Sequence, residues 1–258
     1  MIQSKNAAFI SINASIRADD KTSIPLYKTY FAFDPEGLPS KEELIREATS
    51  IIAMLEELKS APIAELYSGP AILHPGASGV FFHEIFGHRI EGHRLKSETD
   101  GQTFKEKVEE QILPEMLSVQ ADPTLRNFKN QDLIGYYSFD YEGVKARKVN
   151  VVENGKLQTF LMSRSPLEEI DHSNGHGRAQ PGMPPVSRQS NMIVSSTETI
   201  PLDELRNGLI QECRKQGLEY GYYFVDVTGG FKQTSRFNLM LLTSPLLTFI
   251  EYCLLYTS

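Results

Sequence analysis

The sequence predicts an α+β fold: a strand-rich main domain carrying a buried helix, preceded by the end of an α/β domain. Three observations predict it. Residues 7–33 alternate polar and apolar as two strands do, and one long amphipathic helix follows. Residues 117–162 return to strand patterns separated by turn residues. Between these regions, residues 76–95 read as a helix whose apolar side chains cover most of its circumference, and such a helix is buried.

The elements follow in order. The stretch AAFISINASIRADDKTSIPLYKTYFAF turns at Ala18–Asp19–Asp20–Lys21. After Pro39, Ser40 is the N-cap and Glu43 the capping-box partner of KEELIREATSIIAMLEELKS. The apolar stripe of that helix runs Leu44, Ile45, Ala48, Ile51, Ile52, Leu55, Leu58. Pro75–Gly76 opens the helix at 76–95, and residues 103–113 read as a short helix stopped near Pro114. Tyr136–Phe139 is expected to be a strand leading into the turn Asp140–Tyr141–Glu142–Gly143, which Asp140 and Glu142 shape. VKARKVNVVENGKLQTFLM is a hairpin with Asn154–Gly155 as a type I′ turn. Residues 171–190, DHSNGHGRAQPGMPPVSRQS, form a polar Gly/Pro loop, and so long a loop in a compact domain is more often functional than filler. Pro201–Gln216 is a helix, and Tyr222–Val227 a strand before Gly229–Gly230. The closing LMLLTSPLLTFIEYCLLYTS is far more apolar than the rest and lacks alternation. Its plain reading is a buried strand or two. CLLYTS, however, matches what a sequencing-library adaptor encodes in one frame, so Cys253–Ser258 is expected to be a non-native tail. A frameshift near Asn238 would make Leu239–Tyr252 foreign as well. The expected organisation is 1–66 as the end of an α/β domain, 67–252 as the main domain and 253–258 as the tail.

Composition narrows the classes. Among 258 residues, 40% are hydrophobic and 23% charged, ordinary values for a globular chain with a proper core. A net charge of −7 offers no attraction to nucleic acid or anionic lipid. No apolar run approaches the roughly 20 residues that span a bilayer, and the opening MIQSKNAAFISINASIRADD lacks the form of a secretory signal. Neither Cys213 nor Cys253 belongs to a C-x-x-C pair. A reducing, cytoplasmic setting is therefore expected.

Chemistry concentrates in FFHEIFGHRIEGHR, residues 81–94. His83–Glu84 begins like a zinc-protease helix, but the next histidine, His88, is five residues on rather than four. Five steps of about 100° set the two rings about 140° apart on a regular helix, too far round to share one ion. A single π-type turn would bring them to one face, and Gly87 and Gly92 would give the backbone room. Buried ionisable groups are costly unless paired or metal-bound. The residues therefore either pair among themselves and with Arg89 and Arg94, or His83 and His88 hold one Zn2+ ion with Glu84 as general base for its water. Glu91 is a candidate to orient a ligand from behind; His93 is the nearest candidate for a third ligand, which would need a bent helix, and the preferred reading sets it behind the ligands with Glu91. His74, His172 and His176 lie outside the segment.

Five blocks in register resemble the TldD/PmbA family of metallopeptidases, whose members are also described as modulators of DNA gyrase. They are GPAILHPGASGVFFHEIFGHRIEGH, LSVQADPTLR, YYSFDYEGVKARKVNVVENGKLQTFLMSR, SNGHGRAQPGMPPVSRQSNMIV and YFVDVTGGFKQTSR, spanning about residues 69 to 236. The resemblance implies a strand-rich catalytic domain with a metal-binding helix in a cytoplasmic peptidase acting on peptides or unfolded segments. Such a peptidase is sometimes assembled, as a homo- or hetero-oligomer, with a paralogue lacking the motif. It carries over His83 and His88 as metal ligands and Glu84 as catalytic. It also places the loop Asn174, His176 and Arg178 near the active site, where Arg178 or Arg188 could take a substrate carboxylate. The third ligand it implies, a cysteine in a C-G block, is absent, and the resemblance implies a chain truncated at both ends; Cys213 and Cys253 stand in the wrong contexts. The rival reading is a non-catalytic partner or regulatory subunit of a TldD/PmbA-type complex or of DNA gyrase, contacting protein and not nucleic acid.

Overall fold

The alternation at the start of the chain builds a two-stranded hairpin: β1 (Ala8–Arg17) pairs antiparallel with β2 (Ser23–Ala32), Ala8 facing Ala32 and Arg17 facing Ser23. The structure is a computed structural model describing residues 6–19, 21–62, 66–98, 101–225 and 227, with only the backbone at 231–232 and 240–241. Helix α1 (Lys41–Ser60) starts with the expected capping box, Glu43 N donating to Ser40 Oγ at 3.2 Å and Ser40 N to Glu43 Oε2 at 2.7 Å. Its Ile51, Leu55 and Leu58 pack on Ile24 and Leu26 of β2 and on Ile12, Ala14 and Ile16 of β1. Ile45 and Ile52, at the margins of the predicted stripe, remain exposed.

A second core belongs to the strand-rich part. β3 (Ala71–Leu73) leads into α2 (Pro75–Phe81), while β4 (Leu117–Ala121), β5 (Asn127–Phe128) and β6 (Gln131–Asp132) follow the histidine segment. Next come β7 (Val149–Glu153), β8 (Lys156–Leu157), β9 (Gly177–Arg178), β10 (Val186–Ser187) and β11 (Met192–Ser196). Helix α3 (Leu202–Lys215) and β12 (Tyr222–Phe224) complete the well-described chain, before β13 (Phe231–Lys232) and β14 (Met240–Leu241). The main sheet is antiparallel in the order β11-β4-β7-β8, and β12 lies parallel to β3. Its Val119, Val151, Val152 and Leu157 pack with Phe160–Met162 against Phe86, Ile90 and Leu95, so the sheet is the floor on which the histidine segment sits.

The Asn154–Gly155 turn forms as predicted, both residues taking positive φ (47° and 79°), as a type I′ turn requires. The helix expected at 103–113 does not form; only a 3-10 turn appears, at Gln102–Phe104. The chain there is drawn to the open edge of β8 instead, where Glu109 N donates to Leu157 O at 2.7 Å and Leu157 N to Glu110 O at 3.0 Å. Tyr136–Phe139 is likewise not a strand but a single bridge, Phe139 to Lys145, closing the predicted turn. The Gly229–Gly230 stop, the expected tail at Cys253–Ser258 and, save the backbone of β14, the stretch Leu239–Tyr252 lie outside the described residues. Among the described residues no helix is long and apolar enough to cross a membrane.

Candidate metal centre

The regular helix predicted at 76–95 is replaced by a chain of turns. Helix α2 ends at Phe81 and widens into a π-helical turn over Phe82–Phe86, then tightens into 3-10 turns at Gly87–Ile90 and Gly92–Lys96. Between the last two, Glu91 is extended (φ −77°, ψ 102°) and forms a parallel bridge with Leu161. Leu161 N donates to Ile90 O at 2.8 Å and Gly92 N to Leu161 O at 2.9 Å, so the sheet floor fixes where the segment breaks.

The π turn does what the five-residue spacing demands. The His83 and His88 rings lie 4.8 Å apart, centre to centre, with planes at 75°. Glu84 sits between them, with Oε1 3.8 Å from His83 Nε2 and Oε2 3.7 Å from His88 Nε2. One donor atom from each of the three residues falls within 4.8 Å of the others. His83 is half exposed, whereas His88 and Glu84 are largely covered. Burial, and then the neighbouring His88, push the His83 pKa below its usual value, so the ring is a neutral nitrogen donor at pH 7. Two imidazoles and a carboxylate are a suitable set for a divalent ion. Donors about 2.0–2.1 Å from a tetrahedral ion stand roughly 3.3 Å from one another. The observed separations are wider than that, and His83, half exposed, is the least enclosed of the three.

Behind His88 lies Glu91, 0% exposed. Its Oε2 accepts from Arg94 Nε at 2.7 Å and lies 3.2 Å from His88 Nδ1, and its Oε1 lies 3.3 Å from Arg188 Nε. Burial pushes this carboxyl's pKa up, but hydrogen bonds from His88 and Arg94 and the charge of Arg188 outweigh it and hold it below the usual value. Glu91 is thus a buried carboxylate at neutral pH, and it faces the ring nitrogen of His88 turned away from Glu84.

The long loop meets the histidine segment through Arg188 and Gln189. Asn174 and His176 are buried and spent internally. Asn174 Oδ1 accepts from Met162 N at 2.8 Å, its Nδ2 donates to Phe160 O at 2.7 Å, and His176 contacts Asn174 O and Ser190 Oγ at 3.2 and 3.1 Å. Burial lowers the His176 pKa to about 4. Both residues are buried, and together they anchor the loop. Arg178 is partly exposed on β9, its guanidinium 4.9 Å from the Tyr137 ring centre. His93 stands outside the three-residue cluster, half-buried, with Nδ1 unpartnered among the described residues. His172 is exposed beside Asp171, and His74 caps α2 without a side-chain bond.

Sequence reasoning missed Gln189. Its Nε2 reaches 3.5 Å from His83 O, 3.4 Å from His88 Nδ1 and 3.5 Å from Glu91 Oε1. Gly87 was expected to lend flexibility, yet its φ of −58° is ordinary. What it provides is space, since a Cβ there would overlap the Gln189 carboxamide. The length of the loop was the one signal that could have pointed to this residue.

A family model described as the PmbA/TldA metallopeptidase C-terminal domain matches residues 67–243. A metalloprotease of Archaeoglobus fulgidus is 32% identical over 196 residues, covering 76% of this chain and 41% of the relative. A zinc metalloprotease TldD homologue of Saccharolobus solfataricus is 31% identical over 184 residues, covering 69% and 36%. The chain thus spans less than half the length of these relatives. Among solved structures, TldE from Thermococcus kodakarensis superposes with a TM-score of 0.60 at 17% identity, covering 86% of this chain and 46% of that one. A Thermotoga maritima protein described as a candidate modulator of a DNA gyrase gives 0.61 at 21%, covering 86% and 45%. At such identities these structures bear on the fold alone.

Proposed function

The chain belongs to the PmbA/TldD family of metallopeptidases, and on that premise we propose that it carries the catalytic centre of a zinc-dependent peptidase hydrolysing peptides or unfolded protein segments. The observation that carries this reading is the convergence of His83, Glu84 and His88 on one point, with donor atoms within 4.8 Å. His83 and His88 would hold the ion through ring nitrogens, a donor set that suits zinc. When bound, the ion polarises the scissile carbonyl and lowers the pKa of an adjacent water toward about 7. Glu84 takes the proton from the attacking water and delivers it to the departing amine. Glu91 holds His88 by its Nδ1, leaving Nε2 to face the ion. His93, within electrostatic reach of Glu91 and Arg94, supports the ligands from behind through that carboxylate. Arg178 and Arg188 are the cations available for a substrate carboxylate. Residues 67–252 act as the peptidase domain and 1–66 as the end of the domain before it. A TldD/TldE-type complex in the cytoplasm is the assembly in which the chain works, and its remaining zinc ligand is supplied by a residue not among those that converge here.

A second reading of Glu84 has its own support. Its oxygens lie as close to the two imidazoles as coordinated donors do after a small adjustment, so it would serve as a ligand instead of a base. One panel separates the readings: bound zinc and cleavage of an unfolded polypeptide, measured on the full protein and on Glu84→Gln. Retained zinc with cleavage reduced by a factor of about 10² or more supports the base role. Loss of zinc makes Glu84 a ligand. Retained zinc with cleavage equal to the parent's removes the proposed mechanism and favours the rival, a regulatory subunit of such a complex or of a gyrase. The presence of Glu84 beside both histidines favours catalysis.

A further inference from the structure

The Glu91 carboxylate has room for about four hydrogen bonds. Four donors surround it: Arg94 Nε and His88 Nδ1 at Oε2, Arg188 Nε and Gln189 Nε2 at Oε1, at 2.7, 3.2, 3.3 and 3.5 Å. A fully buried carboxylate is acceptor-only, so each of these groups meets it with a hydrogen. His88 therefore carries its proton on Nδ1. The 3.4 Å approach of Gln189 Nε2 to that nitrogen is then a packing contact, because two donors cannot bond each other. The second amide hydrogen of Gln189 is left for His83 O, 3.5 Å away. That carbonyl lies in the π turn, where it also accepts from Gly87 N.

One carboxamide thus touches the backbone of the first histidine and the carboxylate that orients the second. It reaches both because residue 87 has no side chain. We infer that Gln189 is a positioning residue that sets the separation of His83 and His88 across the π turn, and that Gly87 is the opening through which it acts. This rests on the metal-centre reading above. It adds that a residue about a hundred positions away, at the end of the long loop, fixes the geometry on which ion binding depends. Gln189 follows β10 and Arg188, and Arg188 N donates to His176 O at 2.9 Å. The buried Asn174–His176 anchor therefore holds the strut in place.

The test measures Co2+ affinity and the Co2+ d–d absorption spectrum of the full protein, together with the melting temperature of the metal-free form. Gln189→Met keeps the volume and removes the donors. It is expected to melt within a few degrees of the parent, to bind Co2+ about 10- to 100-fold more weakly, and to show an altered spectrum. Gly87→Ala, which forces the carboxamide aside, is expected to lower both melting temperature and affinity. In Gly87→Ala with Gln189→Ala the overlap is gone, so the melting temperature recovers while affinity stays low. Parent-like affinity and spectrum in Gln189→Met would overturn the inference, as would recovery of affinity together with melting temperature in the double variant. A parent that takes up no Co2+ would instead overturn the metal-centre reading, and this inference with it.

Discussion

Helix α1 and the segment from Pro75 to Lys96 are of similar length, and each lays apolar side chains on a sheet, yet they are stabilised in different ways. In α1 the backbone is satisfied within the helix and by its own capping box, and only one face is buried. The histidine segment passes from α to π to 3-10 and then to extended backbone within a short span. Its breaks are met by groups far along the chain, Leu161 and Gln189. A change on the buried face of an element whose backbone is satisfied from within costs stability without reshaping a site. An element shaped by distant partners transmits any change to what it carries, here the two imidazoles.

Matched core truncations sharpen that contrast most. Leu58→Ala in α1 and Ile90→Ala in the 3-10 turn that follows the π turn each remove a fully buried side chain, and each is expected to cost up to about 4 kcal/mol of stability. Denaturant unfolding should show the two losses as comparable. Only Ile90→Ala should also weaken metal binding, by isothermal titration. Equal affinities in the two variants would mean that the segment is no more sensitive than the helix.

Acid should divide the two regions next. The His176 pKa is lowered by burial from 6.5 to about 4 in the folded chain, so below pH 6.5 the unfolded state binds a proton that the folded state refuses. Stability is therefore full above pH 6.5 and falls as the pH drops toward 4, by about 3 kcal/mol from this group alone. The loop that anchors Gln189 bears that loss, while α1 contains no histidine. Urea unfolding at pH 7 and pH 4.5, compared between the parent and His176→Gln, should show a shallower pH dependence in the variant. Identical slopes would mean that His176 is not the buried neutral ring described.

The same contrast explains which parts could be read from the sequence. The β1–β2 hairpin, the capping box at Ser40 and Glu43, and the Asn154–Gly155 turn depend on local patterns, and each formed where predicted. The helix at 103–113 failed because the free edge of β8 competed for its backbone, a partner that periodicity does not reveal. At the centre, the five-residue spacing itself demanded a π turn, so the convergence of His83 and His88 could be anticipated. The break at Glu91 and the part played by Gln189 could not, because both depend on which distant strand and loop come to rest against the segment. The burial of the loop histidine, with its ring held by Asn174 and Ser190, could not be read from residue type.

The most direct measurement is zinc-edge X-ray absorption on the zinc-loaded full protein, with His83→Ala and His88→Ala beside it. The account predicts nitrogen or oxygen neighbours at about 2.0–2.1 Å, with the multiple-scattering pattern of two imidazoles in the parent and of one in each variant. An imidazole pattern unchanged by both substitutions would place the ion elsewhere and contradict the assignment of His83 and His88.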